Sequence, residues 1–84
     1  MLKYEYEKLF LGKCAGIGLR KRDVDDLNIV FNILYEDDEN WFEESGKGFS
    51  SYWLPDLIEQ SQLALNWMKE NANCEEYGYS FKHE

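Results

Sequence analysis

The sequence predicts an α+β domain, with a small, mainly antiparallel sheet of three to four strands packed against one long helix, about residues 54–72. Three observations carry this expectation. Large rings alternate with polar residues in LKYEYE (2–7) and EEYGYSF (75–81), the period-two signature of a strand. LNIVFNILY (27–35) is dominated by branched and aromatic residues, which suit a pleated surface. Behind Pro55, apolar side chains recur at helical spacing over four to five turns.

Taken in order, residues 2–11 read as a half-buried strand that becomes apolar on both faces at LFL (9–11). Gly12, Gly16 and Gly18 interrupt the next segment and mark either a turn or a kinked strand. Residues 23–35 admit two patterns. As a strand, Leu27, Ile29, Phe31, Ile33 and Tyr35 share a face; as a helix capped by Asp23, Leu27, Val30, Phe31 and Leu34 do. Propensity favours the strand, because asparagine is poor in a helix interior. Asp37–Asn40 has turn composition, and Trp41–Phe42 begin a returning strand that ends at Ser45–Gly46.

The helix has the clearest punctuation. Proline is tolerated in the first helical turn, and Leu54 before it is pushed out of helical geometry. Asp56 and Glu59 lie near the positive end of the dipole and Lys69 near the negative end. Leu57, Ile58, Ser61, Ala64, Leu65, Met68 and Ala72 define the expected buried stripe, flanked by Trp53, Leu63 and Trp67. The tail, with Tyr77, Tyr79 and Phe81 alternating, reads as a final edge strand. All 84 residues form a single domain, and five Phe, six Tyr and three Trp provide the large rings that a core this small needs.

Charge narrows the function. The net charge is −8, unevenly spread. Residues 1–22 hold six bases and two acids (+4), whereas residues 23–84 hold three bases and fifteen acids (−12). Such acidity disfavours direct binding to nucleic acid or to an anionic membrane, and favours a basic protein partner. No apolar run reaches the roughly 20 residues that span a bilayer. Charges run through the first thirteen residues where a signal peptide would be apolar, and Cys14 and Cys74 read as free thiols, so the expected location is the cytoplasm.

Catalytic chemistry finds little support. His83 lies next to the chain end, where the fixed geometry of a general base is hard to hold. Two cysteines and one histidine do not complete a zinc site. The glycines of GKCAGIGLRK match neither the P-loop nor the dinucleotide spacing. No cofactor is expected, and the chain reads as a non-enzyme.

The most distinctive stretch is EDDENWFEE (36–44), with six carboxylates and no base in nine residues around two adjacent rings. Its oxygens suit calcium, but the acids are contiguous, the mid-loop glycine is missing, and Trp41–Phe42 occupy ligand positions. The pattern fits a surface read by another protein. Glu36, Asp37, Asp38, Glu39, Glu43 and Glu44 would steer a basic partner, and Trp41 and Phe42 would anchor it. An inhibitor or decoy acting on a nucleic-acid-handling protein, in the manner of phage anti-defence, immunity or antitoxin proteins, would have this character. The alternative is a small-ligand or enzymatic site among Tyr4, Tyr6, Tyr35, Trp53, Trp67, Tyr77 and Tyr79. A homodimer formed through the 77–81 edge is a further expectation.

Overall fold

A computed structural model describes residues 1–83. Among them, β1 (Lys8–Leu11), β2 (Ala15–Asp23), β3 (Asp26–Asp37) and β4 (Asn40–Glu43) come first. A 3-10 turn at Ser51–Trp53 then leads into α1 (Leu54–Asn71), followed by β5 (Asn73–Glu75) and β6 (Gly78–Ser80). All strand pairs are antiparallel, in the order β1-β2-β3-β6-β5. β2 occupies one edge of β3, while β4 and β6 share its other edge, β4 along 34–37 and β6 at Asn28.

The α+β reading holds, with six strands where three to four were expected. Residues 23–35 belong to a hairpin and a strand, so the helical alternative is excluded. β2 runs unbroken through Gly16 and Gly18, which serve close packing and not a turn. The first strand is shorter than expected, because only Lys8–Leu11 pairs along an edge. At the C-terminus, β6 lies between β3 and β5, so β5 is the edge and the 77–81 stretch is not.

The register assigns the faces. Ala15, Ile17 and Leu19 stand opposite Tyr35, Ile33 and Phe31, so they share the face that α1 covers. There Ile17, Leu19 and Ala64 form the buried centre, with Phe10, Ile29, Ile33, Leu57, Trp67 and Met68 packed around it. The expected helical stripe is rotated by part of a turn. Gln60 is buried, whereas Ile58 is exposed.

Two contacts seat the helix. Ser50 Oγ accepts from Tyr52 N at 3.2 Å and starts the 3-10 turn. One Asp56 oxygen accepts from Cys14 N at 2.7 Å and Ala15 N at 3.1 Å, which ties the first turn of α1 to the β1–β2 connection. Those amides hold the Asp56 carboxyl below its usual range, Cys14 contributing most, against desolvation. Gly12 makes room for this contact, since a Cβ there would sit 2.7 Å from the Asp56 carboxyl carbon.

Candidate functional site

The acidic stretch folds as the β3–β4 hairpin. Asp37 pairs with Asn40, leaving Asp38 and Glu39 as a two-residue turn with φ of 51° and 67°. Positive φ at both central positions is what a twist-matched hairpin turn demands, and glycine or asparagine meets that demand at least cost. A glutamate there is conformationally expensive. The turn is partly repaid by Glu36 Oε2, which accepts from Glu39 N at 2.6 Å, and by Asn40 Nδ2, which donates to the Asp38 carbonyl at 3.1 Å.

The six carboxylates therefore divide into two groups. Glu36 closes the turn. Glu44 accepts from Gly46 N at 2.6 Å and Lys47 N at 3.1 Å, ordering the exit loop. Glu43 is the most heavily engaged, accepting from Lys3 N, Tyr4 N and Tyr6 Oη. Asp37, Asp38 and Glu39 are exposed, and their carboxylates meet no hydrogen-bond or ion-pair partner among the described residues. The free negative charge sits at the tip.

The two rings separate, as neighbours on a strand must. Phe42 pairs with Tyr35 on the helix side, 5.7 Å between centroids, and Tyr35 stacks on Trp53 at 5.0 Å and 10°. Phe42 is thus a packing residue between the hairpin and the start of α1. Trp41 pairs with Glu36 on the opposite face and is half-buried.

That opposite face carries an arrangement the sequence did not reveal. Residues 3–7 cross it. Tyr6 lies over Gly18, where a Cβ would come within 2.6 Å of its ring. Tyr4 is covered by the Arg20 guanidinium, 3.9 Å from ring centroid to Cζ, and Arg20 Nε donates to Asn32 Oδ1 at 2.7 Å. Desolvation raises the Glu43 pKa, but the Tyr6 hydroxyl and the amides of Lys3 and Tyr4 outweigh it and hold the carboxyl below its usual range. The Tyr6 hydroxyl is pushed above the usual phenol range by burial, by its bond to Glu43 and by that carboxylate's charge. The available signal was Gly16 and Gly18 alternating on one face of a strand, which marks a close approach by another segment.

The seven rings of the aromatic-pocket alternative do not converge. Tyr4 and Tyr6 lie on the face away from the helix, and Tyr35 stacks with Trp53. Trp67 meets Phe81 edge-on at 6.4 Å, while Tyr77 is 94% exposed. Among the described residues, no group of three or more His, Cys, Asp or Glu is gathered to hold a metal ion, and Cys14 and Cys74 are unpaired. Among the described residues, no helix is long and apolar enough to cross a membrane. Compared with family models, curated proteins and solved structures, the chain matches none.

Proposed function

We propose that this domain is a non-catalytic binding module whose β3–β4 hairpin presents an acidic surface to a basic protein partner, as an inhibitor or decoy of a nucleic-acid-handling protein would. Residues 26–44 carry seven acids and no lysine or arginine, which gives the hairpin a single-sign field. One observation carries the reading. The turn keeps Asp38 and Glu39 at positive φ, where a glycine would relieve the backbone, and neither carboxylate has a partner within the described fold. A left-handed glutamate at an exposed tip, whose cost the Glu36 and Asn40 bonds offset only in part, is the kind of local departure expected where function requires the side chain.

In this reading Asp37, Asp38 and Glu39 provide steering and charge-assisted bonds to lysine or arginine. Trp41 is the ring placed to flank them, and Glu36, Glu43 and Glu44 hold the hairpin in shape. The partner is a cytoplasmic protein, and the domain itself stays off nucleic acid and membrane because its field repels phosphate.

The test is affinity capture from a host extract at low and high salt, using wild type and the triple variant Asp37→Asn, Asp38→Asn, Glu39→Gln. Wild type should retain a basic protein at low salt and release it as salt rises, and the variant should retain far less. Equal retention by both forms would end the proposal.

A further inference from the structure

On the face of the hairpin away from α1, the ladder sets one ring directly beside one carboxylate. Asp38–Glu39 is a two-residue turn, so Asp37 and Asn40 close the hairpin as a hydrogen-bonded pair, and the two kinds of pair then alternate along the ladder. The bond from Glu44 N to Ile33 O at 2.8 Å fits that alternation. Glu36 and Trp41 are therefore a non-hydrogen-bonded pair, the closer kind, with Cα atoms about 4.5 Å apart and side chains within reach of one another. Glu36 Oε2 is fixed by the Glu39 amide at 2.6 Å, while Oε1 makes no hydrogen bond among the described residues. The indole is half-buried, so part of it is held by packing and the rest faces water.

A fixed carboxylate beside an indole suits a cation. The same face shows such a pairing filled from within the chain. Arg20 lies 3.9 Å over Tyr4 and donates from Nε to Asn32 Oδ1 at 2.7 Å, so one guanidinium stacks on a ring and bonds an oxygen at once. Trp41 and Glu36 repeat the ring and the acceptor. Among the described residues, however, no lysine or arginine lies over the indole or pairs with Glu36. The bases of this face are otherwise placed. Arg20 is engaged as above, Arg22 pairs with Asp26 at the far end of β3, and Lys3 meets Glu43 through its backbone amide. We propose that Trp41 and Glu36 form a site for an arginine side chain of the partner, with the guanidinium stacked on the indole and donating to Glu36 Oε1. This rests on the acidic-surface reading and names the side chain that the surface selects. Arginine is preferred because its planar fork makes both contacts together, whereas the lysine ammonium is a strongly hydrated point charge. The tip carboxylates attract either base and do not discriminate between them.

The probes are an oligoarginine and an oligolysine peptide of equal length and charge. Each is titrated into the ¹⁵N-labelled domain, and the indole N–H signal of Trp41, assigned by its loss in Trp41→Leu, is followed by NMR. Oligoarginine should shift that signal and bind about five- to tenfold more tightly than oligolysine, the range open to a cation–π contact joined to a carboxylate. Trp41→Leu should bring the two peptides to the same affinity. Glu36→Gln keeps an oxygen for the Glu39 amide and removes the charge, so it is a second variant should the first fold poorly, and it too should reduce the preference for arginine. Equal affinities for the two peptides in wild type, an unmoved Trp41 signal, or an undiminished arginine preference in both folded variants would each overturn the proposal. The acidic-tip reading fails separately. If Asp37→Asn, Asp38→Asn, Glu39→Gln leaves both affinities and their salt dependence unchanged while Trp41→Leu abolishes the arginine preference, the arginine site stands and the tip reading falls. If the triple variant weakens both peptides alike and wild type shows no preference, the tip reading stands and the arginine site falls.

Discussion

Tyr6 Oη donates to Glu43 Oε2 at 2.7 Å, across 37 positions of sequence. This bond, with the Lys3 and Tyr4 amides on the same carboxylate, fastens the N-terminal segment across the sheet to the acidic hairpin. One carboxylate of the acidic run is therefore a structural tie.

Tyr6→Phe keeps the ring over Gly18 and removes only the donor, so it should cost about 1 kcal/mol. For a domain of this size that lowers Tm by roughly 4–8 °C. Glu43→Gln should cost at least as much, because a charged acceptor is lost to three donors. In a double-mutant cycle by thermal melting, Tyr6→Phe in the Glu43→Ala background should have little further effect. Full additivity would mean that the two side chains do not act together.

The pH dependence comes from the same groups. Glu43 and Asp56 both titrate below their usual range when folded. Their contribution is complete above the unfolded carboxylate range of about 3.9–4.3 and disappears as pH falls through the lower folded values. Tyr6 is shifted the opposite way. Its contribution is complete below the ordinary phenol value of about 10 and is lost as pH rises through the higher folded value. Urea midpoints should accordingly be flat across neutral pH, fall below about pH 4 and fall again above about pH 10. Tyr6→Phe should reduce the alkaline loss. If the alkaline limb is identical in that variant, Tyr6 is not its source.

Gly18→Ala places a Cβ 2.6 Å from the Tyr6 ring, so the ring must move. Overpacking of this kind costs about 1–3 kcal/mol. Tyr6→Ala in the same chain should remove most of the penalty attributable to Gly18→Ala. Gly16→Ala meets the Phe10 carbonyl, which is backbone and cannot swing aside, and no side-chain change should rescue it. Melting curves of the two pairs distinguish a side-chain clash from a backbone clash.

Glu39→Gly relieves a positive φ of 67°. It should raise stability by several tenths to about 1 kcal/mol, the usual cost of a left-handed side chain offset by the entropy of glycine. The same change removes one of three free tip carboxylates, so binding to a basic partner should weaken while Tm rises. A variant that loses stability would show that the turn is held by the Glu39 side chain.

Much of the fold was legible because its signals were local. Pro55, the ring alternation near the C-terminus and the branched run at 27–35 each fix an element from neighbouring residues alone. The turn at Asp37–Asn40 was legible for the same reason. What escaped was set at long range. Residues 2–7 alternate like a strand, but their partners are Glu43, Gly18 and Arg20, which no periodicity reveals. The glycines of β2 read as breaks until Tyr6 was seen lying against one of them. The helical stripe was misplaced because Gln60 takes a buried position and Ile58 an exposed one, a choice made by where the sheet lies. Within the site, the acidity of 36–44 was evident, but the division between carboxylates that hold the fold and carboxylates that face water was not. That division depends on which backbone amides come within reach.

The central claim is that Asp37, Asp38 and Glu39 at the β3–β4 tip engage a basic protein. The most direct measurement is the affinity of the captured partner as a function of salt, for wild type and for Asp37→Asn, Asp38→Asn, Glu39→Gln. The account predicts steep weakening with salt for wild type, and a variant that binds at least tenfold more weakly at low salt with a shallower slope. Equal affinity and equal slope for the two proteins would contradict it.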